Sequence, residues 1–146
     1  MNKMLARSAL LAALAVPLAA HAEQSRQFGD FEVHYNALSS SQLTPAIARG
    51  YGIERSPQRG IVTLSVLVRK KGIVGTPVKA TLTGSAVNPN QQRSDLSFRE
   101  IAEHDAVYYI GEFSKTARDT IKFKVSIQTA DHPKAETLEF TKEFFD

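Results

Sequence analysis

Arg49, Arg55 and Arg59 fall within one eleven-residue stretch, RGYGIERSPQR. A guanidinium presents a planar fork of donors that matches a carboxylate or phosphate better than a lysine ammonium does. Tyr51 adds a hydroxyl, and the backbone N–H groups of Gly50 and Gly52 add donors that can curl around an anion. His34 and Asn36 lie on the polar side of the preceding strand and are expected to face this stretch. His34, Asn36, Arg49, Tyr51, Arg55 and Arg59 thus make a candidate site for an anionic small ligand or an envelope protein. The same chemistry has an inward alternative. The arginines can pair with Glu32 or Glu54 and fasten the segment to the sheet, with His34 capping a polar network.

A second set comes from strand parity. Consecutive antiparallel strands reverse, so alternate connections emerge at one end of the fold. The connections at 71–76, 103–105 and 130–135 share an end on this reading, which places Glu103, His104, Asp105, Asp131 and His132 together. Two imidazoles with carboxylates suit zinc or copper, although the spacing matches no metal motif, and turn Asp and His residues are ordinary local hydrogen-bonders. Catalysis has less support. The chain lacks a GxSxG elbow, an HExxH helix and a phosphate loop. Glu100 and Glu103 form only a commonplace exposed carboxylate pair. With no cysteine anywhere, thiol proteases, thiol redox enzymes and Cys-based zinc sites are excluded. A non-catalytic protein with no cofactor is expected; a small hydrolase with an unrecognised site is the alternative.

The elements that must position these residues are strands. Period-two alternation marks them, because successive side chains point to opposite faces. Phe31 to Ala37 is the first strand and Ile61 to Val68 the second. Val78 to Ala86 follows the Lys71–Gly72 turn. Leu96 and Phe98 open a fourth strand whose register shifts near Ile101, as at a bulge. Val107 to Phe113, Ile121 to Ile127 and Leu138 to Phe144 complete seven. Short turns and the absence of any repeat indicate an all-β, antiparallel, immunoglobulin-like sandwich. The passage between the first two strands breaks the rhythm. Thr44 can cap a helix, Pro45 suits its first position and Gly50 can end it. This predicts one short helix, with Ile47 lidding an open edge or end. The 44–60 insert is therefore an elaboration on a rigid scaffold, where binding usually resides. The closing FTKEFFD offers a sheet edge that another chain can pair with, against a reading in which Phe144 and Phe145 are buried.

MNKMLARS, the apolar run ALLAALAV, Pro17 and Ala20-His21-Ala22 form the three parts of a secretory leader, predicted to be cut after Ala22. Residues 23–146 then form a single domain, with a periplasmic address and no membrane insertion. The formal charge of +3 falls by two when Lys3 and Arg7 leave, so no nucleic-acid partner is implied. Distribution is more telling than the total. Seven basic residues between Arg49 and Lys79 stand against Glu54 alone, whereas from Asp95 onward eleven acids face seven bases.

FGDFEVHYNAL, LTPAIARGYGIERS, RGIVTLSVLV and AVYYIGEF together resemble a family of small exported proteobacterial proteins, the domain of unknown function 4426 family. The resemblance spans about Phe28 to Phe145, and its most specific pieces are HYNA and TPAIARGYGIERS. It implies a periplasmic location and a single β-sandwich, and it brings no catalytic residues.

Overall fold

The computed structural model describes residues 24–69 and 75–146; the predicted leader and the Lys71–Gly72 turn lie outside them. Ten strands occur among these residues: β1 (Gln24–Phe28), β2 (Phe31–Ser39), β3 (Arg59–Val68), β4 (Thr76–Pro77), β5 (Ala80–Val87), β6 (Arg93–Leu96), β7 (Phe98–Glu103), β8 (Ala106–Ser114), β9 (Arg118–Thr129) and β10 (His132–Phe145). All pairings are antiparallel. One sheet runs β1-β2-β3-β8-β7, with β4 continuing alongside β3, and the other runs β10-β9-β5-β6. The sheets stack with β2 against β10 and β8 against β6. This is the expected two-sheet, immunoglobulin-like sandwich.

The alternating residues do fill the space between the sheets. Val33, Val62, Leu64 and Val66 from one face meet Ile121, Phe123, Val125, Ile127 and Leu138 from the other, all at most 1% exposed. Aromatic rings knit the layers: Phe113 meets Phe123 edge-on at 5.0 Å and Tyr35 meets Phe140 at 4.5 Å, while Phe123 stacks on Phe140 within its own sheet at 4.8 Å. Offset and edge-on rings of this kind add attraction beyond simple burial.

Three expectations are corrected. The polar β1 carries no apolar alternation, so it is invisible to the period-two test; it is held at the sheet edge by its ladder to β2. The supposed bulged fourth strand is two strands. Leu96 closes β6 in one sheet, and Phe98 opens β7 in the other. Ile101 is out of phase because it turns to the outer face of its sheet, where a second apolar cluster awaits it. Finally, Phe144 is buried but Phe145 is 74% exposed, because adjacent strand residues face opposite sides.

Candidate functional site

The 44–60 insert leaves β2 through Ser39, Ser40 and Ser41 and lies across the outer face of the six-stranded sheet. A turn of 3-10 helix (Ser40–Gln42) leads to α1 (Pro45–Tyr51). Thr44 Oγ1 accepts the Ile47 N–H at 3.2 Å, and Pro45 occupies the first turn, as expected. The helix runs through Gly50 and stops at Gly52, whose φ of +65° supplies the left-handed cap. The chain then returns as an irregular segment with Ile53 pointing down. Ile53, Ile61 and Ile110 form a second buried cluster, with Leu38, Leu43, Tyr51 and Ile101 packed around it. Ile53, not Ile47, is the covering residue; Ile47 points outward and is 46% exposed.

The insert is then tied down by polar groups. Ser40 is buried: its Oγ donates toward Glu54 O at 2.7 Å and accepts the Ser56 N–H at 3.0 Å. Arg55 Nε donates to Leu43 O at 2.7 Å, and its Nη2 donates to Ser41 O at 3.1 Å. Arg59 lies 3.5 Å from Glu54 and 3.7 Å from Glu112. From β7, Arg99 Nη2 donates to Tyr51 O at 2.8 Å, while Tyr51 OH donates to Glu103 Oε1 at 2.8 Å. That bond to Glu103 is the main reason the Tyr51 hydroxyl titrates above its ordinary value, with burial and the neighbouring Glu103 and Tyr108 acting in the same direction.

Beneath the insert sits a buried ionic latch. The Lys115 side chain is 0% exposed and that of Asp146 9%. Lys115 Nζ lies 3.3 Å from Asp146 Oδ2 and donates to Pro57 O at 2.7 Å. Asp146 also accepts from the hydroxyls of Ser39 and Ser41. Burial pushes the Asp146 carboxyl up, but the hydrogen bonds from Ser39, Ser41 and Lys115, with the charge of Lys115, outweigh it and hold the pKa below the ordinary value.

The six binding candidates are therefore divided. Arg55, Arg59 and Tyr51 attach the insert, which is the inward use of this chemistry. Arg49, in the last turn of α1, is exposed. Asn36 stands in the outward row of β2, opposite Thr63. His34 joins a different group, on the outer face nearer the far end of β2. Its Nε2 is 3.5 Å from Glu32 Oε1, and Arg69 Nε is 2.6 Å from Glu32 Oε2. A hydrogen bond from Ser25, foremost, and the charges of Arg69 and His34 hold Glu32 below the ordinary carboxylate range against the opposing effect of its burial.

The metal set is not assembled. Glu103, His104 and Asp105 close the β7–β8 turn, and Asp131 and His132 belong to the β9–β10 turn. β7 is an edge strand on the β8 side, whereas β10 is an edge strand on the β2 side, so the two turns stand on opposite flanks. Glu103 is engaged by Tyr51, and His132 by Glu136 at 3.1 Å with its ring edge-on to Phe31. Among the described residues no three His, Cys, Asp or Glu side chains come together to hold a metal ion. Sequence reasoning missed Lys115, Asp146 and the Ser39–Ser41 run; three serines leaving a strand were the available signal, since hydroxyls satisfy backbone groups where a ladder ends.

The geometry can be set beside known proteins. No curated protein matches the chain. A crystal structure of a DUF4426 family protein from Pseudomonas aeruginosa is 36% identical with a TM-score of 0.68, covering 84% of this chain and 94% of that one. FetP from uropathogenic Escherichia coli shares the fold at 12% identity. A copper-bound variant of it gives a TM-score of 0.61, covering 84% of this chain and 95% of that one. The as-isolated protein, expressed in the periplasm, gives 0.60 with 84% and 93% covered. The model of the domain of unknown function DUF4426 matches residues 25–146, and the chain belongs to that family.

Proposed function

We propose that this protein is a non-catalytic binding or accessory module of the periplasm that presents its 44–60 insert to an acidic partner, either an envelope protein or an anionic small ligand. The observation that carries the proposal is the division of labour within the insert. Arg55, Arg59 and Tyr51 fix it to the sheet, while Arg49 and Ile47 project from the same short helix into solvent. An exposed cation and an exposed aliphatic side chain, flanking the buried Ala48 on a segment already immobilised, lose little entropy on docking. FetP, a neighbour in fold, was made in the periplasm, the compartment that the leader-like first residues address. Its copper is a property of that protein; among the described residues here no three His, Cys, Asp or Glu side chains come together to hold a metal ion.

The test separates recognition from attachment. Arg49→Glu with Ile47→Asp is expected to abolish capture of the partner from a periplasmic extract while leaving the Tm within a degree or two, since both residues are surface positions. Capture that survives this double change overturns the reading. Replacing all three arginines is the weaker experiment, because Arg55 and Arg59 also hold the insert in place.

A further inference from the structure

The six-stranded sheet ends at β7, and among the described residues no strand pairs with its outer side. Parity shows which backbone groups are left there, because alternate residues of an antiparallel ladder direct N–H and C=O to alternate neighbours. β2 occupies one side of β3 from Gly60 to Val68. On the other side Lys115 donates its N–H to Gln58 O at 3.0 Å, and Val78 donates to Val66 O at 2.9 Å. Even-numbered residues of β3 therefore bond toward β8, where they meet Phe113, Gly111 and Tyr109. That leaves Ile110 and Tyr108 to bond to Arg99 and Ile101 of β7. Phe98, Glu100 and Ala102 thus send their N–H and C=O groups outward, and among the described residues nothing bonds to those groups.

The side chains along this edge complement themselves. Arg99, Ile101 and Glu103 share the outer face of the sheet, since alternate strand residues point the same way. Ile101 is half-buried and lies across the ladder from Tyr108, an aromatic ring left 42% exposed. Arg99 and Glu103 are both exposed. Their ties to Tyr51 use one guanidinium nitrogen and one carboxylate oxygen. The other N–H groups of Arg99 and Oε2 of Glu103 keep their capacity to bond.

We infer that this edge joins a second copy of the chain, β7 to β7, antiparallel and with Ile101 on the two-fold axis. An open strand edge is a template for another strand, and a two-fold contact must be self-complementary. In this register Ile101 meets Ile101 of the other copy, and Arg99 of each copy stands opposite Glu103 of the other. Glu100 and Ala102 exchange main-chain hydrogen bonds on both sides of the axis. Neighbouring registers are worse. Centring on Arg99 or on Glu100 sets like charges face to face, and centring on Ala102 sets Ile101 against Glu103. Directly opposed unlike charges and apolar pairs attract, whereas like charges repel. The chosen register also puts the small Ala102 opposite each Glu100, which keeps its own Lys79 at 3.4 Å. Other edges fit less well: Arg26 of β1 crosses to Glu139 O, β6 has four residues, and β10 shifts register between His132 and Glu136. The contact concerns assembly and goes beyond the function proposed for the insert.

Sedimentation of the leaderless protein at up to about 1 mM is expected to show a monomer–dimer equilibrium. Arg99→Glu makes both charged positions of the edge acidic, and Glu103→Arg makes both basic. Each variant alone should self-associate about tenfold more weakly. An equimolar mixture of the two should restore the dimer, because unlike charges then meet again across the axis; a merely structural role for either residue gives no such rescue. Ala102→Pro removes an outward donor that bonds nothing within one molecule and should leave a folded monomer. In hydrogen exchange the Glu100 and Ala102 amides should slow as protein concentration rises, while those of Arg99 and Ile101, already bonded to β8, keep their rates. A monomer throughout, a mixture no more associated than its two parts, or a dimer indifferent to Ala102→Pro overturns the proposal.

Discussion

Gly60 shows how tightly single side chains are specified. A Cβ built there would sit 2.1 Å from the Phe113 ring, because the two residues pair directly across β3 and β8 and both face the core. Gly60→Ala should cost about 1–3 kcal/mol through overpacking, read as a lower urea midpoint. The latch makes a second residue-scale prediction. The folded pKa of Asp146 lies below its unfolded value, so the stabilisation it gives is complete above the ordinary carboxylate range and is lost as pH falls through the folded value. Glu32 acts in the same sense. Melting temperature should therefore decline below about pH 4, and Asp146→Asn should flatten that decline while lowering the Tm at neutral pH. Lys115→Met leaves a buried carboxylate short of its counter-charge and should cost about 3 kcal/mol. None of this is written in the local sequence. Lys115 sits in SKTARD, which reads as an ordinary polar turn, and its partners at Ser39, Pro57 and Asp146 are brought to it only by the closed sandwich.

At the scale of elements, the strands announce themselves where one face is apolar and the other polar, as in Ile121 to Ile127. They are silent where both faces are polar, as in β1, and misleading where both faces are covered, as at Ile101. The insert was legible as a capped helix from Thr44 and Pro45, but its orientation was not. Which isoleucine points down depends on where the second cluster lies, and that is set by Ile61 and Ile110 on strands distant in sequence. The arginines of the insert divide in use, since a fork that fits a carboxylate also fits two backbone carbonyls, as at Arg55. Arg55→Ala should therefore loosen the insert. Losing two charge-assisted hydrogen bonds should cost about 1–2 kcal/mol, and amides of residues 45–53 should exchange faster while those of β9 keep their rates.

For the whole molecule, the place of the first strand bears on the predicted leader. β1 begins at Gln24, directly behind the predicted cut, and is the outermost strand of its sheet. Expressed from its full sequence in a Gram-negative bacterium, the protein is expected to start at Glu23, which an intact mass measurement checks; a mass that includes residues 1–22 would refute the leader. Among the described residues no helix is long and apolar enough to cross a membrane.

The rooting of the insert has a further consequence. Arg49 is an exposed arginine midway along it, and bonds cross that point in both directions: Ser40 with Glu54 and Ser56, and Arg55 with Leu43 and Ser41. On the far side of these ties, β2 is laced to β3 from Phe31↔Val68 to Ser39↔Gly60. Scission by trypsin after Arg49 should thus yield two fragments that travel as one species on a native gel and part only in denaturant. A break in the covalent chain after Arg49 would leave the body whole, so the protein could be handled as a divisible pair of halves held by these ties.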